Sequence, residues 1–470
     1  MGIMYLASEL GEKGHEVRIA SARRLGRKGM RQMVGDWCPA VVGYTALTGE
    51  HIRLLELNED LKKQSSFVSV FGGPHATFCP DELLLNPYCD AVCIGEGDLA
   101  FPEFCRRLEE GGPWWQTPNF FVRHEGEIER NPLLPLVEDM DSLPMPDHDL
   151  MYAADPPLAG DNLKYFVSNR GCPCACSYCF HPPYNELYRG KGSIVRRRSP
   201  EKVVDEMCYV KERYTMTRIV MNDDSFLLNG REWINRFCDD YKKRVDLPFS
   251  CGFRANEVAD DLIGQLRGAG LTAAGIGVEC ANEEVFNGTL RRNMTKAHIL
   301  RAAAIIKSHG LQLMTLSLCG LPIPNSYAND LETLELNAEI QPDWARASLL
   351  YPYPATEIRK YAQQAGLLSE SESHVPVFES NKRSSAFIFS SPMEKRRVEN
   401  LHKLFGIFVR HPWLRKHADF LCSLPLGPVY RLLLYLHYGY GMRFKIMPFS
   451  SPLKGVWSYL PVLFRLFVKR

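Results

Sequence analysis

The sequence predicts an α/β protein built as two successive parallel-sheet units. A Rossmann-like domain over residues 1–130 precedes a (β/α)6 partial TIM barrel over residues 161–370, and a mostly helical region over residues 371–470 closes the chain. Three observations carry this reading. Short β-branched apolar runs alternate with amphipathic stretches through both units, a Pro- and Asp-rich stretch at 131–160 separates them, and a dense cysteine cluster follows the first strand of the second unit.

In the first unit Val17–Ala20, Ala40–Tyr44, Phe67–Phe71 and Ala91–Ile94 read as strands set between helical segments, and Asn119–Ile128 reads as a hairpin. Such alternation means a parallel sheet with crossover helices. The chain opens inside the first helix, without the strand that usually begins such a fold, as expected of a start placed at a late codon. In the second unit the expected strands are Tyr165–Ser168, Ile219–Asn222, Phe249–Phe253, Ala274–Val278, Leu313–Leu318 and Ala345–Leu350, each followed by a helical stretch. Ligands in both kinds of fold bind at the carboxyl ends of the strands.

The 470 residues carry a formal net charge of +1 and are 45% hydrophobic, a globular composition with no basic excess calling for nucleic acid. The amino terminus lacks a secretory signal, so the expected location is cytoplasmic and the fifteen cysteines read as buried thiols and metal ligands rather than disulfides. Leu432–Leu436 and Val462–Phe464 are apolar but too short to span a bilayer; the basic residues Arg443, Lys445, Lys454, Lys469 and Arg470 around them leave peripheral membrane contact open.

Cys172, Cys176 and Cys179 form CxxxCxxC directly after the first barrel strand, where a barrel places its reactive loop. Thiolates are the usual ligands of iron-sulfur clusters, and a cube held by three of them leaves one iron open. A structural zinc site would call for separated ligand pairs, and no second pair follows. Cys174 and His181 lie close in sequence, and Cys174 stays unassigned.

The segment resembles the radical S-adenosylmethionine (SAM) superfamily. That resemblance implies a 4Fe-4S cluster on Cys172, Cys176 and Cys179, with the amino and carboxylate groups of SAM on the open iron and a 5′-deoxyadenosyl radical formed on reduction. Taken position by position it implies further SAM contacts. Tyr178 would lie along the adenine, and Asp223, in Asn222–Phe226, would help to hold the amino group. Glu279 in Gly277-Val278-Glu279, Arg292 in Leu290–Thr295 and Gly320 in Gly320-Leu321-Pro322 complete the set. Arg254, after the third strand, reads equally as a polar site group or a surface ion pair.

Three loops of the first unit also lie at strand carboxyl ends: 45–49, the GGPHAT segment 72–77 and the GEGD segment 95–98. They resemble the cobalamin-binding domain that precedes the barrel in a subfamily containing carbon and phosphorus methylases and the anaerobic cyclase of chlorophyll synthesis. The resemblance implies cobalamin contacts from Thr45, Thr48, Gly72, Gly73, Pro74, His75, Gly95, Glu96 and Gly97. It departs in one respect: the DxHxxG motif that supplies an axial histidine elsewhere is absent, so no histidine is expected on cobalt.

The function implied is cobalamin-dependent methyl transfer to an unactivated carbon, with a radical cyclase or other oxidative rearrangement as a rival. A methylthiotransferase would use Cys38, Cys79, Cys89, Cys93 and Cys105 for a second cluster, and a non-catalytic cobalamin or iron-sulfur sensor would need an output domain. The implied partners are a small-molecule or lipophilic substrate and an electron donor such as flavodoxin or ferredoxin.

Overall fold

The computed structural model describes residues 1–368 and 384–441. Its first sheet has five strands in the order β1-β2-β3-β4-β5: β1 (Val41–Thr45), β2 (Val68–Gly72), β3 (Ala91–Cys93), β4 (Phe120–His124) and β5 (Glu127–Arg130). The first three are parallel, and Val70, Phe71, Ala91 and Val92 are buried between helices, as apolar runs covered on both faces must be. β4 and β5 form the expected antiparallel hairpin, closed by Glu125 and Gly126 at φ 49° and 87°. Two positive φ values in a two-residue turn match the right-handed twist of the strands they join.

Val17–Ala20, expected as a strand, is not one; it runs between the helices Gly2–Glu12 and Ala22–Trp37 without a sheet partner. In doubly wound sheets ordered 2-1-3 such a segment pairs with a strand that precedes the first helix. The described residues hold no strand there, so its backbone has no ladder to join. The stretch read as a linker contains the helices His148–Ala154 and Pro156–Ala159. His148 Nε2 meets Glu206 Oε1 at 2.7 Å, on the barrel helix Pro200–Arg213.

The second sheet is parallel throughout, in the order β13-β12-β11-β10-β9-β6. Its strands are β6 (Leu163–Phe166), β9 (Arg218–Met221), β10 (Phe249–Phe253), β11 (Leu271–Glu279), β12 (Gln312–Cys319) and β13 (Trp344–Leu349). All six expected runs are present, shifted or extended at their ends. A short antiparallel ribbon, β7 (Asn169–Arg170) with β8 (Arg196–Arg197), stands beside the first barrel strand. One continuous core of Phe166, Ile219, Phe249, Leu271, Ile276, Leu313 and the inner helix faces fills the half-barrel.

The carboxyl-terminal region is helical as far as it is described. The helix Pro392–Arg410 begins at Ser391, whose side chain accepts from the Glu394 amide, and packs on β13 so closely that a Cβ at Gly406 would lie 2.8 Å from the Ala345 carbonyl oxygen. The apolar piece Val462–Phe464 and the basic residues from Arg443 onward lie outside the described residues. Among the described residues no helix is long and apolar enough to cross a membrane.

Candidate functional site

The loop Gly171–Phe180 leaves β7 at the carboxyl end of the half-barrel, and its backbone is held from several sides. Asp223, just past β9, accepts the amides of Ser168 and Asn169 on Oδ1 at 2.7 and 2.9 Å. Gly171 has φ 91°, and a Cβ there would fall on the Ile194 carbonyl oxygen, so no other residue fits. Asn185 donates to the Cys172 carbonyl at 2.9 Å, while Ser177 bonds the Leu290 and Thr289 carbonyls through N and Oγ at 3.1 and 2.6 Å.

Cys172 and Cys176 are buried and Cys179 is partly so, and none forms a disulfide. A tetrahedral zinc with Zn–S bonds near 2.3 Å sets its sulfurs about 3.8 Å apart. No three of these cysteines bring their sulfurs within 4.8 Å of one another, which does not fit one such ion. The Cys172 thiol, hydrogen-bonded to Cys174, holds Cys174 down to about 6.

Two buried guanidinium groups face the Cys176 sulfur: Arg254 Nη1 at 3.5 Å and Arg292 Nη1 at 3.8 Å. Arg254 therefore belongs to the site and not to the surface; its Nη2 also donates to the Arg292 carbonyl at 2.7 Å. Arg292 donates to Tyr178 Oη at 3.0 Å and to the Gly277 carbonyl at 3.1 Å, and lies 3.8 Å from Glu279 Oε1. The backbone is bent to allow this. Glu279, Arg291 and Asn293 all have φ near +50 to +60°, a left-handed conformation costly for residues with a Cβ. A Cβ at Gly277 would meet Glu279 Oε1 at 2.6 Å and Arg292 Nη2 at 2.9 Å. Burial pushes the Glu279 carboxyl above its ordinary range and the Asp223 carboxyl up to about 6, and Asp223 Oδ2 is buried without a partner.

Cys172, Cys176, Cys179, Tyr178, Asp223, Glu279 and Arg292 are thus brought together around one loop. At Gly320 the amide donates to buried Asp330, and a Cβ would meet Val398 of the carboxyl-terminal helix at 3.0 Å, so its small size serves that packing.

At the carboxyl edge of the first sheet Thr45 and Leu47 are exposed and Thr48, Gly72 and Gly73 partly so, a crest open to a large ligand. Gly73, at φ 95°, does not border open space: a Cβ would sit 3.1 Å from the Ala46 carbonyl oxygen. Pro74 begins a short helix that turns His75 inward. His75 is buried, its ring stacked on His51 at 3.6 Å with Thr48 Oγ1 on its Nδ1 at 3.3 Å. Burial and the second ring lower it to about 4. His51, His75 and Glu82 bring ligand atoms within 4.8 Å, but two rings only 10° from parallel point their nitrogen lone pairs side by side rather than at one ion, and the Gly49 amide already occupies His51 Nδ1.

The GEGD loop departs furthest from expectation. A Cβ at Gly95 would collide with the Tyr188 hydroxyl, Gly97 would meet Leu6 at 3.3 Å, and the Glu96 amide donates to Tyr188 Oη at 2.9 Å. The Glu96 carboxylate is gripped by Arg196 at 2.7 and 2.8 Å, and Asp98 by Arg170 at 2.8 and 3.0 Å. These groups bind the second unit. Arg170, Arg196, Tyr188 and Asn185 were missed in sequence; the one signal was an arginine immediately before the glycine of the cysteine loop.

The arrangement defines a class: an α/β ligand-binding sheet joined to a half-barrel that presents a three-thiolate cluster loop. Comparison with known proteins agrees. Residues 1–105 match the B12 binding domain family and residues 166–333 the Radical SAM superfamily. The chain is 26% identical over 379 residues to the uncharacterized methyltransferase PH0819 of Pyrococcus horikoshii, covering 78% of this chain and 79% of that protein. It is 25% identical over 426 residues to the anaerobic magnesium-protoporphyrin IX monomethyl ester cyclase of Rubrivivax gelatinosus, covering 87% and 72%. Among solved structures, the cobalamin-dependent SAM radical enzyme OxsB with aqua-cobalamin and SAM bound superposes with a TM-score of 0.70 at 15% identity, covering 99% of this chain and 72% of that one. The radical SAM methyltransferase TsrM of Kitasatospora setae, with cobalamin and a 4Fe-4S cluster bound, gives 0.64 at 17%, covering 78% and 72%. The chain thus carries a match to a B12 binding domain followed by a match to the Radical SAM superfamily.

Proposed function

We propose that this chain is a cobalamin-dependent radical SAM methyltransferase acting on an unactivated carbon of a small-molecule or lipophilic substrate. The observation that carries the reading is the convergence, at one end of the half-barrel, of the three-cysteine loop with Tyr178, Glu279 and Arg292, beside the open carboxyl edge of the first sheet. When bound, the cluster supplies an electron that cleaves SAM and the cobalamin supplies the methyl group.

The residues divide the remaining work. Cys172, Cys176 and Cys179 would hold three irons, and Arg254 and Arg292 would offset the negative charge of the Cys176 thiolate. Arg292 pairs with the SAM carboxylate and Glu279 accepts from its amino group, each a charge-assisted bond in a water-poor site. Asp223 holds the base of the loop and offers its free Oδ2, and Tyr178 lies along the adenine. Thr45, Thr48, Gly72, Gly73 and Pro74 line the edge where the corrin rests. His75 would not serve as a ligand to cobalt, since its ring is turned inward, stacked on His51 with Nδ1 on Thr48 Oγ1. Electrons come from a flavodoxin- or ferredoxin-like donor.

Anaerobic reconstitution with hydroxocobalamin, then mass spectrometry of products from methyl-labelled SAM, tests this. Label transferred to carbon supports methyl transfer. Conversion with 5′-deoxyadenosine formed but no label in product would favour the cyclase, the activity of the Rubrivivax relative.

A further inference from the structure

We propose that Asp98 and Glu96 are positioning residues that fix the cluster loop against the amino-terminal sheet. The inference rests on the cluster-loop reading above and assigns the GEGD loop a mechanical task in place of cofactor contact.

Both carboxylates leave the carboxyl end of β3 and cross to the ribbon β7–β8, where Arg170 and Arg196 stand opposite each other in register. Arg170 donates through both Nη atoms to Asp98 at 2.8 and 3.0 Å and reaches Glu96 Oε1 at 3.4 Å. Arg196 donates through both Nη atoms to Glu96 and to the Val137 carbonyl at 3.1 Å. Asp98 and Arg196 are buried, and the Arg170 guanidinium lies over the Tyr5 ring, 4.9 Å from its centroid. Two-point Arg–carboxylate pairs fix orientation as well as distance.

One end of this clamp lies two residues before Cys172. Gly171 alone intervenes, its φ of 91° turning the backbone against the Ile194 carbonyl. Asn185 holds the Cys172 carbonyl from the other side. A shift of the GEGD loop therefore passes through Arg170 to Cys172 and the iron it holds. The same loop leaves the sheet edge where the second cofactor rests, so the clamp sets the separation of the two cofactors.

The test uses the full chain, anaerobically reconstituted, with Asp98→Asn, Arg170→Lys and Asp98→Glu. Electron paramagnetic resonance of the reduced cluster is recorded first with SAM alone, then with hydroxocobalamin. Asp98→Asn and Arg170→Lys should keep full iron content and bind hydroxocobalamin within about a factor of two of wild type. Their cluster signal should shift, and methyl transfer per SAM cleaved should fall about tenfold; Asp98→Glu should restore much of both. A wild-type cluster signal and coupling in both variants would overturn the proposal. So would loss of hydroxocobalamin binding with an unaltered cluster, which would assign the GEGD loop to the cofactor site. A wild-type chain that takes up no cobalamin would overturn the function proposed above, while the SAM-alone signal would still decide the clamp.

Discussion

Arg254 donates to the sulfur of Cys176 across 3.5 Å from a buried position on the strand end opposite the cysteine loop. A fixed positive charge beside one ligand sulfur favours the reduced, more negative cluster. Replacing Arg254 by Met should lower the midpoint potential by about 59 mV or more, a tenfold step for a one-electron couple. A redox titration followed by electron paramagnetic resonance reads this, and an unchanged potential would refute it.

The iron content follows from the ligand set. Reconstituted wild type should carry about four irons per chain, and the triple change of Cys172, Cys176 and Cys179 to Ala should abolish the cluster and 5′-deoxyadenosine release together. Cys174→Ala should retain the cluster. SAM cleavage by the triple variant would defeat the assignment, and about eight irons without cobalamin would favour a second cluster.

Glu279→Gln and Arg292→Ala should each weaken SAM binding by roughly ten- to a hundred-and-fifty-fold, the loss of a charge-assisted bond of about 1.5–3 kcal/mol. Arg292 also donates to Gly277 and Tyr178, so its variant should show the larger effect. Titrating SAM against the cluster signal measures both. Loss of the cluster itself would assign these residues to the scaffold.

Asp223 predicts a pH dependence of the metal-free fold. Burial raises its carboxyl to about 6 from 3.8, so the folded chain holds a proton that the unfolded chain has released between those values. Its contribution is greatest below pH 3.8, declines as pH rises to about 6 and is constant above, a swing of roughly 3 kcal/mol. Asp223→Asn keeps an acceptor for the Ser168 and Asn169 amides and should flatten that decline. Urea unfolding at pH 4.5 and 7 compares the two, and equal slopes would show that Asp223 titrates normally.

The strands were legible because a buried parallel strand must be a short apolar run, and the cysteine loop because its spacing is local. Arg292 could be placed for the same reason, since its segment follows a strand whose end was already located. What escaped depends on partners distant in the chain. Val17–Ala20 has the composition of a strand but no sheet partner among the described residues. Gly73 and Gly320 are crowded by Ala46 and Val398, which belong to other elements. Glu96 meets Arg196 a hundred residues away, a distance over which periodicity carries no information.

The many bonds on the cysteine loop also bear on how the metal centre is built. In small zinc-binding modules the ion itself folds the peptide, so stripping the metal unfolds the chain. Here Asp223 Oδ1 accepts the Ser168 and Asn169 amides at the base of the loop, Asn185 donates to the Cys172 carbonyl and the Ser177 amide donates to the Leu290 carbonyl, and none of these contacts needs a ligand in place. Maturation then becomes delivery into a receptacle already shaped, with little ordering left to be done. A chain stripped by chelator should keep its far-ultraviolet circular dichroism and refill on the bench without passing through a denatured intermediate.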